Sequence, residues 1–87
     1  MGTMITRHAV RDYGAWRPVF DAHIPAQIAA GLTNPRVYRR AEDPNDILIL
    51  FDTVDRRRAE EFSRADDLRT TMQNAGVVGA PEFRFAD

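Results

Sequence analysis

The fold is decided by the stretch DILILFD, residues 46–52. Successive side chains of a β-strand point to opposite faces of a sheet. The apolar run Ile47–Phe51 therefore leaves neither face of this strand polar, and both faces need cover. Turn-forming residues at 42–45 precede the run and separate it from another strand-like segment. The two strands, Arg36–Arg40 and Asp46–Val54, are predicted to form a hairpin.

The segment before this hairpin predicts a strand followed by a long helix. Over Thr3–Val10, Met4, Thr6, His8 and Val10 alternate with Ile5, Arg7 and Ala9, and this period of two indicates a strand. Asp12 is a suitable N-cap for a helix of about 18 residues, and Gly31 is suited to end it in the left-handed conformation. Pro18 and Pro25 each remove an amide donor, so we expect a short first turn before Pro18 and a kink near Pro25. The apolar stripe of this helix comprises Tyr13, Trp16, Phe20, Ile24 and Ile28.

The segment after the hairpin completes the pattern. Its predicted elements are an N-cap at Asp55, a helix at Arg56–Ser63, a second short helix from Asp66 or Asp67 to Gly76, and a strand at Pro81–Phe85. The order strand, helix, strand, strand, helix, strand is the split βαβ plan of a ferredoxin-like α+β fold. We expect one domain over residues 1–87, with a four-stranded antiparallel sheet in which the first and third strands are central.

Helices cover only one face of such a sheet, and 87 residues leave nothing to cover the other. A second copy packed face to face would bury the run Ile47–Phe51 and enlarge a core that is marginal at this length. The sequence therefore predicts a homodimer that buries at least about 1,600 Å² in total. The alternative is a monomer whose apolar sheet face binds a different partner.

Composition excludes several classes of function. The chain has no cysteine, which excludes disulfides, thiolate nucleophiles and Cys-ligated zinc, and its two histidines show no metal-ligand spacing. A net charge of −1 argues against general nucleic-acid binding. An RNA-recognition domain needs exposed aromatic and basic residues on its central strands, where Asp46–Asp52 supplies an aliphatic run instead. No phosphate loop or dinucleotide motif is present, so no cofactor is predicted. Without a membrane-length apolar run or a signal-peptide pattern, we expect a cytoplasmic protein.

His8 is the first candidate for chemistry, because it lies on a predicted central strand beside Arg7. Adjacent side chains point to opposite faces, so only one of the two faces the helices, and the sequence leaves open which one. His8 shares its face with Met4, Thr6 and Val10, a mixed lining typical of small-ligand cavities. It is therefore a candidate general base or hydrogen-bond donor. The alternative is a structural histidine satisfied by a core partner.

The ligand-binding candidates are Tyr13, Trp16, His23 and Tyr38. Tyr13 and Trp16 lie near the start of the first helix, where the mouth of a cavity is expected, although an aromatic stripe is usually core. His23 does not share a helix face with Asp21, so the two make a poor catalytic pair. Tyr38 shares a strand face with Arg36, whose guanidinium could hold a carboxylate. A solvated sheet edge is the alternative for that face.

Four stretches of the sequence form a recognisable pattern: His8-x-Val10-x-Asp12-Tyr13-x-x-Trp16-x-x-x-Phe20-Asp21-x-His23, Arg36-Val37-Tyr38-Arg39, Asp43-Pro44-Asn45 and Leu68-Arg69-x-x-Met72-x-x-Ala75-Gly76-Val77-x-Gly79-x-Pro81. Through these residues the sequence resembles the dimeric α/β-barrel superfamily, near its antibiotic-biosynthesis-monooxygenase-like group of small bacterial proteins. The resemblance implies a homodimer with one small cavity per protomer between sheet and helices. Its superfamily includes cofactor-independent monooxygenases, haem-degrading enzymes, lactone isomerases and proteins of no known reaction.

The resemblance implies a function as well as a fold. In the oxygenase branch, Trp, Tyr, Asn or His groups help a substrate anion to react with O₂ without metal or flavin, and His8, Tyr13, Trp16 and His23 are candidates for such roles. We therefore expect a homodimer that binds a small, flat, partly apolar ligand as a cofactor-independent monooxygenase or isomerase. The alternative is a non-catalytic ligand-binding or stress-associated module.

Overall fold

A computed structural model describes residues 2–87 and confirms the ferredoxin-like α+β fold. The elements in chain order are β1 (Gly2–Val10), α1 (Tyr13–Ala22), α2 (Ile24–Ala29), β2 (Leu32–Arg39), β3 (Asp46–Thr53), α3 (Arg56–Ser63), α4 (Asp66–Asn74) and β4 (Val77–Ala86). The four strands form one antiparallel sheet in the order β2-β3-β1-β4. The first and third strands are therefore central, as predicted. No helix within residues 2–87 has the length and apolar character that a membrane crossing requires.

The first helical region differs from the prediction at both prolines. Asp12 is the N-cap, and its carboxylate accepts a hydrogen bond from the Gly14 amide at 3.1 Å. Pro18 lies inside α1 without ending it, so the short first turn expected before it is wrong. The break expected near Pro25 is present at His23, which ends α1 and precedes α2. Pro25 occupies the first turn of α2, where its missing N–H costs no helical hydrogen bond.

The break at His23 changes which side of α2 faces the core. Gln27 is buried, whereas Ile28 is 59% exposed, so the predicted apolar stripe does not continue to Ile28. A continuous helix would keep positions at helical spacing on one face, and an interruption rotates the following turn. Gly31 then ends the region with φ of 81°, in the left-handed conformation that the sequence predicts.

Both edge strands are longer than predicted, and both are irregular. β2 begins at Leu32 instead of Arg36, and its register with β3 shifts between Thr33 and Arg36, where Asn34 has φ of 52°. β4 begins at Val77 instead of Pro81, and its register with β1 shifts opposite Arg7–Ala9. A proline lies within each irregular segment, at 35 and 81, a position that edge strands tolerate.

The two faces of the sheet have different surroundings. The inner face packs against the helices, and its central strands contribute the buried side chains Met4, Thr6, His8, Val10, Ile47, Ile49, Phe51 and Thr53. The outer face carries the alternate residues of the same strands. Leu48 is 37% exposed there, and Tyr38 and Val78 are also exposed. Charged pairs surround these apolar side chains, with Arg7 2.9 Å from Asp46 and Arg36 3.1 Å from Asp52.

Candidate functional site

A cavity of about 50 Å³ lies between the inner face of the sheet and the helices. The central strands provide its floor, and all four helices and β4 contribute side chains to its walls. Most of these side chains are apolar. The polar residues in the lining are Thr6, His8, His23, Gln27 and Thr71.

Three buried polar atoms belong to residues of this cavity and have no hydrogen-bond partner among residues 2–87. They are Thr6 Oγ1, His8 Nδ1 and Gln27 Oε1. A buried polar atom left without a partner costs about 1–3 kcal/mol. Native proteins therefore rarely leave several such atoms together without a ligand or ordered water to satisfy them.

His8 lies on the helix side of the sheet, which answers the question that the sequence leaves open. Its side chain is buried, whereas Arg7 points to the outer face and pairs with Asp46. Burial lowers the pKa of His8 to about 4, and the negative charge of Asp46 opposes this shift only in part. His8 is therefore a neutral imidazole at neutral pH, with one ring nitrogen available to accept a hydrogen bond.

An aromatic wall continues from His8 into the core. The Trp16 ring meets His8 edge-on at 5.6 Å between centroids and stacks on Phe20 at 4.9 Å. Phe20 in turn lies 6.2 Å from Phe51. Trp16 is only 3% exposed, so this side of the cavity is a rigid apolar surface suited to a flat ring.

His23 lines the opposite part of the cavity, at the break between α1 and α2. Its ring stacks on Phe62 of α3 at 5.8 Å, and its Nε2 is 3.4 Å from a carboxylate oxygen of the exposed Asp67. The structure therefore places His8, Trp16 and His23 around one cavity. No three His, Asp or Glu side chains within residues 2–87 cluster closely enough to hold a metal ion.

The two tyrosines among the sequence candidates lie outside this cavity. Tyr13 packs behind Trp16 at 5.7 Å, accepts a hydrogen bond from Arg17 at 3.0 Å, and has the Arg39 guanidinium 3.8 Å from its ring centroid. Tyr38 is 52% exposed on the outer face of the sheet. The structure does not bring either side chain to His8.

Several residues that line the cavity were not among the site candidates from the sequence. Gln27 has no signal in the sequence, because it enters the cavity only through the break at His23. Leu68 and Met72 have the four-residue helical spacing of core residues on α4, and Phe62 lies on α3. Only the packing of α3 and α4 over the sheet shows that they line a cavity.

No family model matches the sequence, and no curated protein matches it. Solved structures do match. A protein from Bordetella bronchiseptica assigned by name to the antibiotic biosynthesis monooxygenases superimposes with a TM-score of 0.80 at 13% identity, over 99% of this chain and 94% of that chain. A mutant form of SnoaB, a cofactor-independent oxygenase from Streptomyces nogalater, superimposes with a TM-score of 0.72 at 12% identity, over 99% of this chain and 90% of that chain. A conserved protein from Methanosarcina mazei Go1 superimposes with a TM-score of 0.72 at 13% identity, over 97% of this chain and 88% of that chain.

These similarities confirm the fold that the sequence resemblance implies. The chain has the ferredoxin-like fold of the antibiotic-biosynthesis-monooxygenase-like proteins over nearly its whole length. At this level of identity the similarity defines the architecture, and activity has to be argued from the side chains of the site.

Proposed function

We propose that the protein binds a small, flat, partly apolar molecule in the cavity between sheet and helices, beside His8. The observation that carries the proposal is the group of three unpartnered polar atoms, Thr6 Oγ1, His8 Nδ1 and Gln27 Oε1, in an otherwise mostly apolar lining. A ligand with a ring against Trp16 and one hydroxyl or carbonyl group would pair with these atoms.

We propose cofactor-independent oxygenation or isomerisation as the reaction of this site. The similarity to SnoaB supports oxygenation, because that protein is a cofactor-independent oxygenase and has the same fold. A phenolic substrate that donates its hydroxyl hydrogen bond to His8 becomes more electron-rich, which favours reaction with O₂. His8 is suited to accept this bond because it is neutral at pH 7.

A non-catalytic ligand-binding module is the second candidate, and the low pKa of His8 favours it. A protonated His8 with a pKa of about 4 is a strong acid for an imidazolium, so it retains a proton taken from a phenol poorly. Hydrogen bonding without proton transfer explains the same geometry. The two candidates differ in turnover and agree on the binding site.

Trp16 provides the experiment, because it is the only tryptophan and lines the cavity. Phenol, 2-naphthol and 1,4-naphthoquinone are titrated while Trp16 fluorescence and the melting temperature are recorded, and O₂ consumption is followed with an electrode. We expect binding that His8→Phe weakens and that Tyr38→Phe, on the other face of the sheet, leaves unchanged. Turnover lost in His8→Phe supports an enzyme, and binding without turnover supports the module. No binding by any compound overturns the proposal.

We also propose that a second copy covers the outer face of the sheet. Leu48, Tyr38 and Val78 are exposed there, and the charged pairs around them can meet a partner's charges across a twofold axis. Light scattering after size-exclusion chromatography is expected to give twice the chain mass of 9.9 kDa. Leu48→Asp is expected to give the single-chain mass. A wild-type mass of one chain overturns the dimer.

The cytoplasmic location stays a prediction.

A further inference from the structure

A groove of about 450 Å³ lies on the surface against α4 and β4, directly beside the cavity. The two share three lining residues, Leu68, Met72 and Phe83. These three side chains therefore form a partition between the apolar cavity and the groove.

The partition matters because the cavity alone is small. Sites for small molecules usually have about 300–1,000 Å³, which the cavity of about 50 Å³ does not reach and which cavity and groove together do. Met72 is the member of the partition that can move most easily, because its side chain is unbranched and only partly buried. Displacing it would join the two spaces.

The groove differs from the cavity in charge. Its lining includes Arg64 and Arg69 and no Asp or Glu. Within residues 2–87, Arg64 makes no salt bridge, and Arg69 lies 3.6 Å from Asp66 with both side chains highly exposed, which is a weak pairing. Two guanidinium groups without strong partners favour a carboxylate or another planar anion.

We propose that the cavity and the groove form one site for an elongated organic acid. Its flat apolar end lies beside Trp16, its chain passes the displaced Met72, and its carboxylate binds Arg64 and Arg69. The inference rests on the ligand-binding function proposed above and specifies the chemical class of the ligand.

Two matched probes test the charge requirement, 4-phenylbutanoate and 4-phenylbutanamide, with Trp16 fluorescence as the readout. At low ionic strength we expect the acid to bind up to about fivefold more tightly than the amide, the range expected for an exposed ion pair. Arg64→Gln combined with Arg69→Gln should remove this preference and leave amide binding unchanged. Arg56→Gln is the matched control, because Arg56 is an exposed arginine of α3 that does not line the groove.

A second measurement tests the partition. Met72→Ala should accelerate association of both probes in stopped-flow fluorescence, whereas Thr70→Ala, exposed on the same helix, should not. Equal affinities for acid and amide that the double arginine variant does not change overturn the acid proposal. An unchanged association rate in Met72→Ala overturns the partition. If 2-naphthol binds and the acid does not, this inference fails while the proposed function stands. If no compound binds, the proposed function itself fails.

Discussion

The two faces of the sheet differ in which kind of side chain lacks a partner. On the inner face, the apolar side chains are packed, and Thr6 Oγ1 and His8 Nδ1 are unpaired, as is Gln27 Oε1 of the overlying α2. On the outer face, Arg7 pairs with Asp46 and Arg36 with Asp52, although Arg36 Nε has no hydrogen-bond partner, and large apolar side chains remain exposed. The inner side therefore lacks hydrogen bonds in a confined space, and the outer face lacks apolar contact. The first suits a small molecule and the second suits another protein surface.

The largest expected effect compares neighbouring residues of β3 on opposite faces. Ile47 is fully buried, so Ile47→Ala should lower the free energy of unfolding by about 2–5 kcal/mol, as for other large-to-small core substitutions. Leu48→Ala should lower the free energy of unfolding by less, and this loss should shrink when the protein is diluted, because the contact removed is the one proposed between two copies. Urea unfolding at several protein concentrations measures both. Equal losses that do not depend on concentration would contradict the comparison.

The next effect is a pH dependence of the free energy of unfolding, which arises from His8 on the inner face. Its pKa is about 4 in the folded protein and about 6.5 in an unfolded chain, so the unfolded chain binds more protons between these values. The free energy of unfolding should therefore fall by about 3 kcal/mol as the pH drops from 6.5 to 4.

His8→Phe should abolish this slope in urea unfolding measured across the same pH range. Arg7 lowers the pKa of Asp46 by donating a hydrogen bond to it, so the contribution of that outer-face carboxylate is lost only below its ordinary value of 3.8. His8 and Asp46 therefore change the free energy of unfolding in separate pH ranges. A slope between pH 6.5 and 4 that His8→Phe leaves intact would assign the titration to another residue.

The smallest effect concerns a single hydroxyl. Thr6→Val keeps the shape of the side chain and removes an unpaired buried oxygen, so the ligand-free protein should gain up to about 1 kcal/mol of stability. Binding of 2-naphthol should weaken in the same variant. Thr3→Val, on the outer side of the same strand, is the control and should change neither quantity by more than about 0.5 kcal/mol. Lower stability in Thr6→Val would mean that its hydroxyl already has a partner.

The sequence predicted the order of the elements because each depends on local patterns. The apolar run Ile47–Phe51, the cap at Asp12 and the left-handed end at Gly31 are all local signals, and the structure confirms them. The sequence did not predict that β2 begins at Leu32 and β4 at Val77. Both edge strands contain proline, and β4 also contains glycine, and these residues are typical of loops.

The cavity was only partly predictable, because it depends on how separate elements pack. His8 and Trp16 both line it, but the sequence left open which face of the first strand points to the helices. Gln27 was not predictable, because an apolar stripe read at 3.6 residues per turn places Ile28 inside and Gln27 outside. Tyr38 was proposed for the same site, but the register of β2 against β3 places it opposite Leu48 on the outer face.

The irregular edge strands have a consequence for how copies of this chain can associate. An unprotected edge offers a row of free amides and carbonyls to any other strand, which is the usual route to continuous β-sheet aggregates. Here Asn34 and Pro35 disrupt one edge, and Gly79 and Pro81 disrupt the other. The irregular segments interrupt strand pairing at both edges, whereas flat stacking on the exposed apolar side chains of the outer face remains open. In the proposed dimer, such stacking would end with two copies instead of continuing into a fibre.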